Sequence, residues 1–257
     1  MTHIKTASEI EVMRDGGKKL AKIRDRLLKE LKPGSVPLQI DNLAKKLIAE
    51  AGGSPSFVTV GDYQWATCIS VNDGVVHGIP TDKPFNEGDA VGLDVGLFYQ
   101  GFHTDTSWSK LVGSRQEERS REKEKFLQVG EEALDKAISQ AKPGNRIGHI
   151  SQAIQTTIEG AGYSVVRSLV GHGVGSNLHE PPQVPGVLTK RIEKTPPLFK
   201  GMVLAIEVIY NKGKPDIVYK NNDGWTLVTA DGSLSGLFEQ TVLITQNEPS
   251  ILTASSL

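Results

Sequence analysis

Four carboxylates and one histidine lie among strand-forming residues. Asp94 and Asp105 fall inside "GLDVGLFYQGFHTDTS" (92–107), which reads as two apolar strands about a turn. Glu207 lies in "AIEV" and Glu239 in "FEQT". Asp is depleted from strands, and a lone buried carboxylate is costly to desolvate. A hairpin turning near Tyr99–Gly101 puts Asp94 and Asp105 about opposite each other on one face. Like charges that close destabilise each other unless a cation lies between them. His172, in "GHGVG" (171–175), adds an imidazole between glycines whose backbone freedom lets a side chain reach inward. Four carboxylates and one imidazole suit a pair of divalent first-row ions with bridging carboxylates and open positions for water. Such a pair activates water and polarises a carbonyl, so the chemistry implied is metal-assisted hydrolysis. Singly, each residue has a plainer reading: a solvent-facing Asp, a salt-bridged Glu, a common glycine-rich loop. The number of acids, their pairing and their apolar flanks favour the metal centre.

The elements that position these residues read as a duplication. Ser8 with Glu11 forms a capping-box pattern ahead of Ile10, Met13, Leu20, Ile23, Leu27 and Leu31 at helical spacing. "KPG" (32–34) ends that helix, and Ile40, Leu43, Ala44, Leu47, Ile48 and Ala51 line a second, stopped by Gly52. A helix over roughly 118–141 also ends in "KPG" (142–144), before another lined by Ile150, Ala153, Ile154, Thr157, Ile158 and Ala161 and stopped by Gly162. Lys32, Pro33, Gly34, Ile40, Ile48, Ala51 and Gly52 match Lys142, Pro143, Gly144, Ile150, Ile158, Ala161 and Gly162 in one ungapped register. "GDAVGLDVG" from Gly88 resembles "GMVLAIEVI" from Gly201, which sets Asp94 against Glu207; Asp105 and Glu239 follow as the second acid of each half. The expectation is an α+β fold of two pseudo-symmetric halves, approximately 1–115 and 116–257, in one catalytic domain spanning 1–257. Helices lie outside and antiparallel strands curl around a shared cleft. "RQEERSREKEK" (115–125) bridges the halves as a solvated helix face.

Composition narrows the class. With 257 residues, 38% hydrophobic and 23% charged, the chain is an ordinary globular one. A net charge of −1 supplies no global field to recruit nucleic acid or an anionic membrane. One cysteine, Cys68, excludes an internal disulfide and suits a reducing compartment. The first residues lack the apolar core of a signal peptide, and no run is long enough to span a membrane. A cytoplasmic protein is expected.

The order "SVNDGVVHGIP", "LDVG", "GFHTDTS", "GHGVGSNLHEPPQVP", "AIEV", "DGWT" and "FEQT" resembles type I methionine aminopeptidases, from "EIEVMRDGGK" to Glu239. The resemblance implies the pita-bread fold and removal of N-terminal methionine from nascent chains when the next residue is small. It implies metal ligands Asp94, Asp105, His172, Glu207 and Glu239, with Asp105 and Glu239 bridging and Glu207 taking the proton of the attacking water. His179 would hydrogen-bond the scissile carbonyl and His77 the substrate backbone near the leaving amine. Tyr63, Cys68 and Trp225 would line an apolar pocket for the methionine side chain. The ligand types admit Fe, Mn, Co or Zn. A monovalent cation, Na or K, near Asn72 and Ser235 is implied, as is passing contact with the ribosome; nothing demands more than a monomer. The chain's own Met1 and Thr2 fit the side-chain rule.

Departures from the family pattern fall around the pocket: Val208 where proline is frequent, Gln64-Trp65-Ala66 after Tyr63, and Leu178 where an aromatic often precedes the histidine. His103 shares a strand face with Asp105, whereas His3 and His149 read as structural or solvent-facing. An X-Pro peptidase shares the carboxylate set but usually carries a further N-terminal domain. A type II enzyme needs a long insertion, and only 34 residues separate His172 from Glu207. A catalytically dead binding relative would have lost ligand positions.

Overall fold

The computed structural model describes residues 3–113, 118–220 and 222–255. Residues 115–117 of the charged bridge and the Met1–Thr2 start lie outside them. Two helices open each half: α1 (Ala7–Glu30) and α2 (Pro37–Glu50), then α3 (Glu118–Ser139) and α4 (Ile147–Gly160). The capping box of α1 lies two residues before the expected one. Thr6 Oγ1 accepts from Glu9 N–H while the Glu9 carboxylate accepts from Thr6 N–H, so Ser8 and Glu11 lie inside the helix. The paired turns agree with duplication. Gly34 and Gly144 have φ of 82° and 90°, and Gly52 and Gly162 have 80° and 84°, a region in which glycine is unhindered.

The first half supplies β1 (Ser54–Pro55), β2 (Thr67–Val71), β3 (Gly74–Val76), β4 (Ala90–Tyr99) and β5 (Phe102–Leu111). The second supplies β6 (Ser164–Val165), β7 (Val170–Gly173), β8 (Glu180–Pro185), β9 (Val203–Asn211), β10 (Ile217–Tyr219), β11 (Leu227–Thr229), β12 (Ser235–Leu243) and β13 (Ser250–Ile251). The main sheet runs β1-β4-β5-β12-β9-β7-β8, with β2 on β4, β6 on β9 and β13 on β12; β10, β11 and β3 form a smaller sheet. Strand alternation separates two faces. Val91, Leu93, Val95 and Leu97 of β4 pack with Leu20, Leu27, Ile40 and Ile48 of α1 and α2. Leu204, Ile206, Val208 and Tyr210 of β9 and Phe238 of β12 pack with Phe126, Leu134, Ile150 and Ile154 of α3 and α4. The intervening residues face the opposite way, into the cleft.

In the main sheet the halves meet at β5 and β12, where backbone pairing covers only Ser107 with Glu239 and Thr106 with Gln240; in the smaller sheet β3 of the first half pairs with β11 of the second. Hydroxyls extend the seam. Thr241 Oγ1 accepts from Asp105 N–H at 2.9 Å and donates to Asp105 O at 2.7 Å. Ser109 Oγ accepts from Leu237 N–H and donates to Leu237 O, both at 2.9 Å. On the helix side, the buried Arg24 guanidinium donates to Thr106 Oγ1 at 3.0 Å and to Thr253 O at 3.1 Å. Each substitution of a hydroxyl for a ladder partner keeps buried backbone groups paired.

Candidate metal centre and substrate cavity

Strand register assembles the acids. Asp94 pairs with Ser107, Ser107 with Glu239, and Glu239 with Glu207, so three carboxylates stand in one row across β4, β5, β12 and β9. Cys68 of β2 extends the row beyond Asp94. Asp105 pairs with Gly96, two residues along β5 from Ser107. Asp94 and Asp105 therefore share a face but are diagonal neighbours instead of opposite ones, because the hairpin turns at Gln100 and Gly101 with Tyr99 against Phe102.

His172 comes from β7 and not from a loop. It pairs with Ala205, two residues before Glu207, and its Nε2 lies 4.0 Å from Glu207 Oε1. The flanking glycines serve close packing: a Cβ on Gly171 would meet Ala205 O at 2.6 Å, and one on Gly173 would meet Pro181 O at 2.5 Å. His172 Nδ1 lies 2.9 Å from Gly173 O, and a carbonyl only accepts, so Nδ1 carries the proton and Nε2 is free to ligate. Burial, with His179 beside it, lowers the His172 pKa to about 4 and keeps the imidazole neutral at pH 7.

A cation fits this donor set. Ligand atoms of Asp105, His172 and Glu239 all lie within 4.8 Å of one another, and all three residues are buried. Asp94 Oδ1 is buried without a hydrogen-bond partner. Burial, then the neighbouring carboxylates, pushes Asp94 and Glu239 well above the carboxylate range; the same causes raise Asp105 to about 8, and burial raises Glu207 to about 7. Carboxylates crowded out of water this way are the setting a divalent ion relieves. Ser107, passed over in the sequence, sits at the centre of the row. Its hydroxyl eases the burial of Glu239 but reaches no full hydrogen bond. Its only sequence signal is its place two residues after Asp105.

The acids floor a cavity of about 160 Å³, into which His77 and His179 also reach. Tyr63, Cys68 and Trp225 wall it together with Leu178, which the sequence placed around the pocket, and with Phe57 and Val60, which carry no such signal in the sequence. Tyr63 stands edge-on to Trp225 at 5.0 Å and donates its hydroxyl to Thr67 O. Trp65 packs behind Tyr63 at 5.2 Å. Burial holds the Cys68 thiol well above its usual pKa, so it serves as wall and not nucleophile. A cavity of roughly 150 Å³ takes a benzene-sized guest, so this one accepts a single side chain. Trp225 is set by an Asx turn, in which Asp223 Oδ1 accepts from the N–H groups of Trp225 and Thr226. His77 takes φ of 55°, a costly value for a non-glycine residue that recurs at functional sites.

Other singled-out residues are placed as follows. His103 keeps the face of Asp105, but its ring bonds Ser56 Oγ at 2.9 Å and packs on Phe98. His149 accepts from Arg146 N–H at the start of α4, and His3 lies by Lys5 and Glu9. Asn72 and Ser235 are joined by Ser235 N–H to Asn72 O, while Lys123 Nζ lies 3.4 Å from Asn72 Oδ1. Val208 packs on the helix side, so the missing proline leaves the Glu207 carboxylate in the cleft. Among the described residues no helix is long and apolar enough to cross a membrane.

Fold and site define a hydrolase of the metal-dependent pita-bread class, and the chain belongs to metallopeptidase family M24, whose model matches residues 11–246. Within that family it is 41% identical over 249 residues to methionine aminopeptidase 1 of Bacillus subtilis, covering 97% of this chain and 98% of the relative. The crystal structure of a methionine aminopeptidase from Thermotoga maritima superposes with a TM-score of 0.92 at 43% identity, covering 98% of this chain and 99% of that one. A prolidase from Pyrococcus furiosus shares the architecture at a TM-score of 0.77 and 26% identity, with this chain spanning 66% of it.

Proposed function

We propose that this chain is a divalent-metal-dependent aminopeptidase that removes N-terminal methionine from peptides and nascent chains whose second residue is small. The observation that carries the proposal is the acid row, joined by Asp105 and His172, flooring an aromatic-walled cavity sized for one side chain. Asp94, Asp105, His172, Glu207 and Glu239 would together hold two divalent ions. Bound there, the ions supply Lewis acidity and a water acidic enough to attack near neutral pH.

The chain's own residues do the rest. Tyr63, Cys68, Trp225, Phe57 and Leu178 enclose the methionine side chain and exclude water. Glu207 takes the proton of the attacking water on its carboxylate. His179 donates a hydrogen bond to the scissile carbonyl as its oxygen gains charge. His77, at the mouth beside His179, holds the substrate backbone near the nitrogen that leaves. The carbon–nitrogen bond breaks as that nitrogen takes up the proton, giving free methionine and a shortened chain. One catalytic domain spans 1–257 in this reading and acts as a monomer in the cytoplasm, which the free buried Cys68 suits. Passing ribosome contact and a monovalent cation near Asn72 and Ser235 belong to the same proposal.

Metal-stripped protein given Fe(II), Mn(II) or Co(II) in turn is expected to release methionine from Met-Gly-Met-Met but not from a Met-Leu peptide, and Asp105→Ala to abolish release. Turnover of an X-Pro peptide instead moves the protein to the prolidase branch. No turnover with any metal leaves a binding protein.

A further inference from the structure

The N-terminal segment reaches the cleft. Lys5, just ahead of α1, places Nζ 2.6 Å from Glu180 Oε2, and the two side chains are only 1% and 7% exposed. Glu180 directly follows His179. Its other oxygen accepts from Asn177 N–H and from Ser176 Oγ, both at 3.2 Å. One carboxylate thus closes the 176–180 loop on itself while the ammonium ties it to the start of the chain. Both ends of this strap are anchored. Lys5 N–H donates to Gly201 O at 2.8 Å, and Gly175 O, at the base of the loop, accepts from His103 N–H at 2.7 Å. The fit leaves no slack, because a Cβ on Gly175 would collide with Lys5 Nζ and with Glu180 Oε1.

Burying two charges gives little net stability, since desolvation offsets their attraction; what such a pair is best known to provide is one fixed geometry. The residue whose geometry is fixed here is His179, whose ring stands 4.5 Å from that of His172 on the cleft side of the loop. We propose that Lys5 is a positioning residue for His179, acting through the buried Lys5–Glu180 pair that straps the N-terminal segment to the 176–180 loop. The inference rests on the reading of His179 as the donor to the scissile carbonyl. Neither Lys5 nor Glu180 touches the reacting atoms. Losing Lys5 leaves a buried carboxylate without its counter-charge beside His179, its Oε2 without the Lys5 bond, and the loop must shift to wet it.

A displaced carbonyl donor weakens the transition state more than substrate binding, so Lys5→Met lowers kcat by roughly 10- to 100-fold with KM within about twofold. Glu180→Gln keeps one acceptor oxygen for Asn177 and Ser176 but turns an NH2 donor toward the Lys5 ammonium and loses the charge, and is expected to do the same. The double variant Lys5→Met/Glu180→Gln is no worse than either single, because the two act as one unit. Methionine release from Met-Gly-Met-Met is measured on each metal-loaded protein and scaled to the folded fraction, with Tm recorded alongside. Wild-type kcat per folded molecule in Lys5→Met, even with a lowered Tm, overturns the inference alone, as do fully additive losses in the double variant. Should Lys5→Met not fold, Glu180→Gln decides by the same criterion. No release by the wild-type protein overturns the functional reading and this inference together.

Discussion

Metal-free protein loses stability as the pH rises from 7 to 8. An unfolded Asp or Glu titrates near 3.8 or 4.5, whereas burial and neighbouring carboxylates hold Asp105 at about 8 and Asp94 and Glu239 well above their usual values in the folded site. In this window the folded state keeps protons that the unfolded chain has released, so stability falls with rising pH and levels off once the pH passes the folded pKa, where the contribution of these groups is fully lost. One retained proton is worth about 1.4 kcal/mol per pH unit. In a chain of this size that lowers Tm by about 3–6 °C per unit, and three such groups set a ceiling about threefold higher. The histidines His103 and His172, lowered to about 4, and His77 and His179, also lowered, all with burial the main cause, act in the opposite sense, mostly below pH 7. From pH 7 to 8 their opposing effect fades and the carboxylates dominate the slope. A divalent ion reverses the trend, because it displaces those protons and binds more tightly as the pH rises. Calorimetric melts at pH 7.0, 7.5 and 8.0, with chelator and with Mn(II), measure both slopes. A chelated Tm that stays flat or rises, or equal slopes with and without metal, refutes the reasoning.

Three further outcomes are expected. Thr241→Val removes both hydroxyl bonds to the Asp105 backbone and strands a buried N–H, costing about 1–3 kcal/mol in urea unfolding and weakening metal binding in a titration. Glu207→Gln keeps the size of the side chain but cannot take a proton, so kcat falls by about 100- to 10,000-fold in methionine release. Trp225→Ala deletes the ring edge-on to Tyr63, and KM for Met-Gly-Met-Met rises by about 2- to 12-fold while kcat stays within about twofold.

Much of this was legible in the sequence for local reasons. Helical periodicity marked the helices because each must bury one stripe. The repeat showed because the same turn needs the same left-handed glycine at Gly34 and Gly144, and again at Gly52 and Gly162. The acids stood out because a carboxylate amid β-branched residues is unusual for a strand. The α1 cap was misplaced by two residues because Thr6–Glu9 and Ser8–Glu11 offer the same chemistry, and only the path of the preceding segment selects between them.

What the sequence determined by itself was the inventory: the residue types, their strand faces and the duplication that brings two acids from each half. The tertiary structure decided their arrangement. Period-two alternation gives a residue's face but not its partner, so the offset that leaves Asp94 diagonal to Asp105 followed from the hairpin's turn. The row through Ser107, the strand setting of His172 and the Lys5–Glu180 strap all join residues far apart in the chain. Such contacts depend on how the two halves close against each other, and no local pattern of residues encodes that distance.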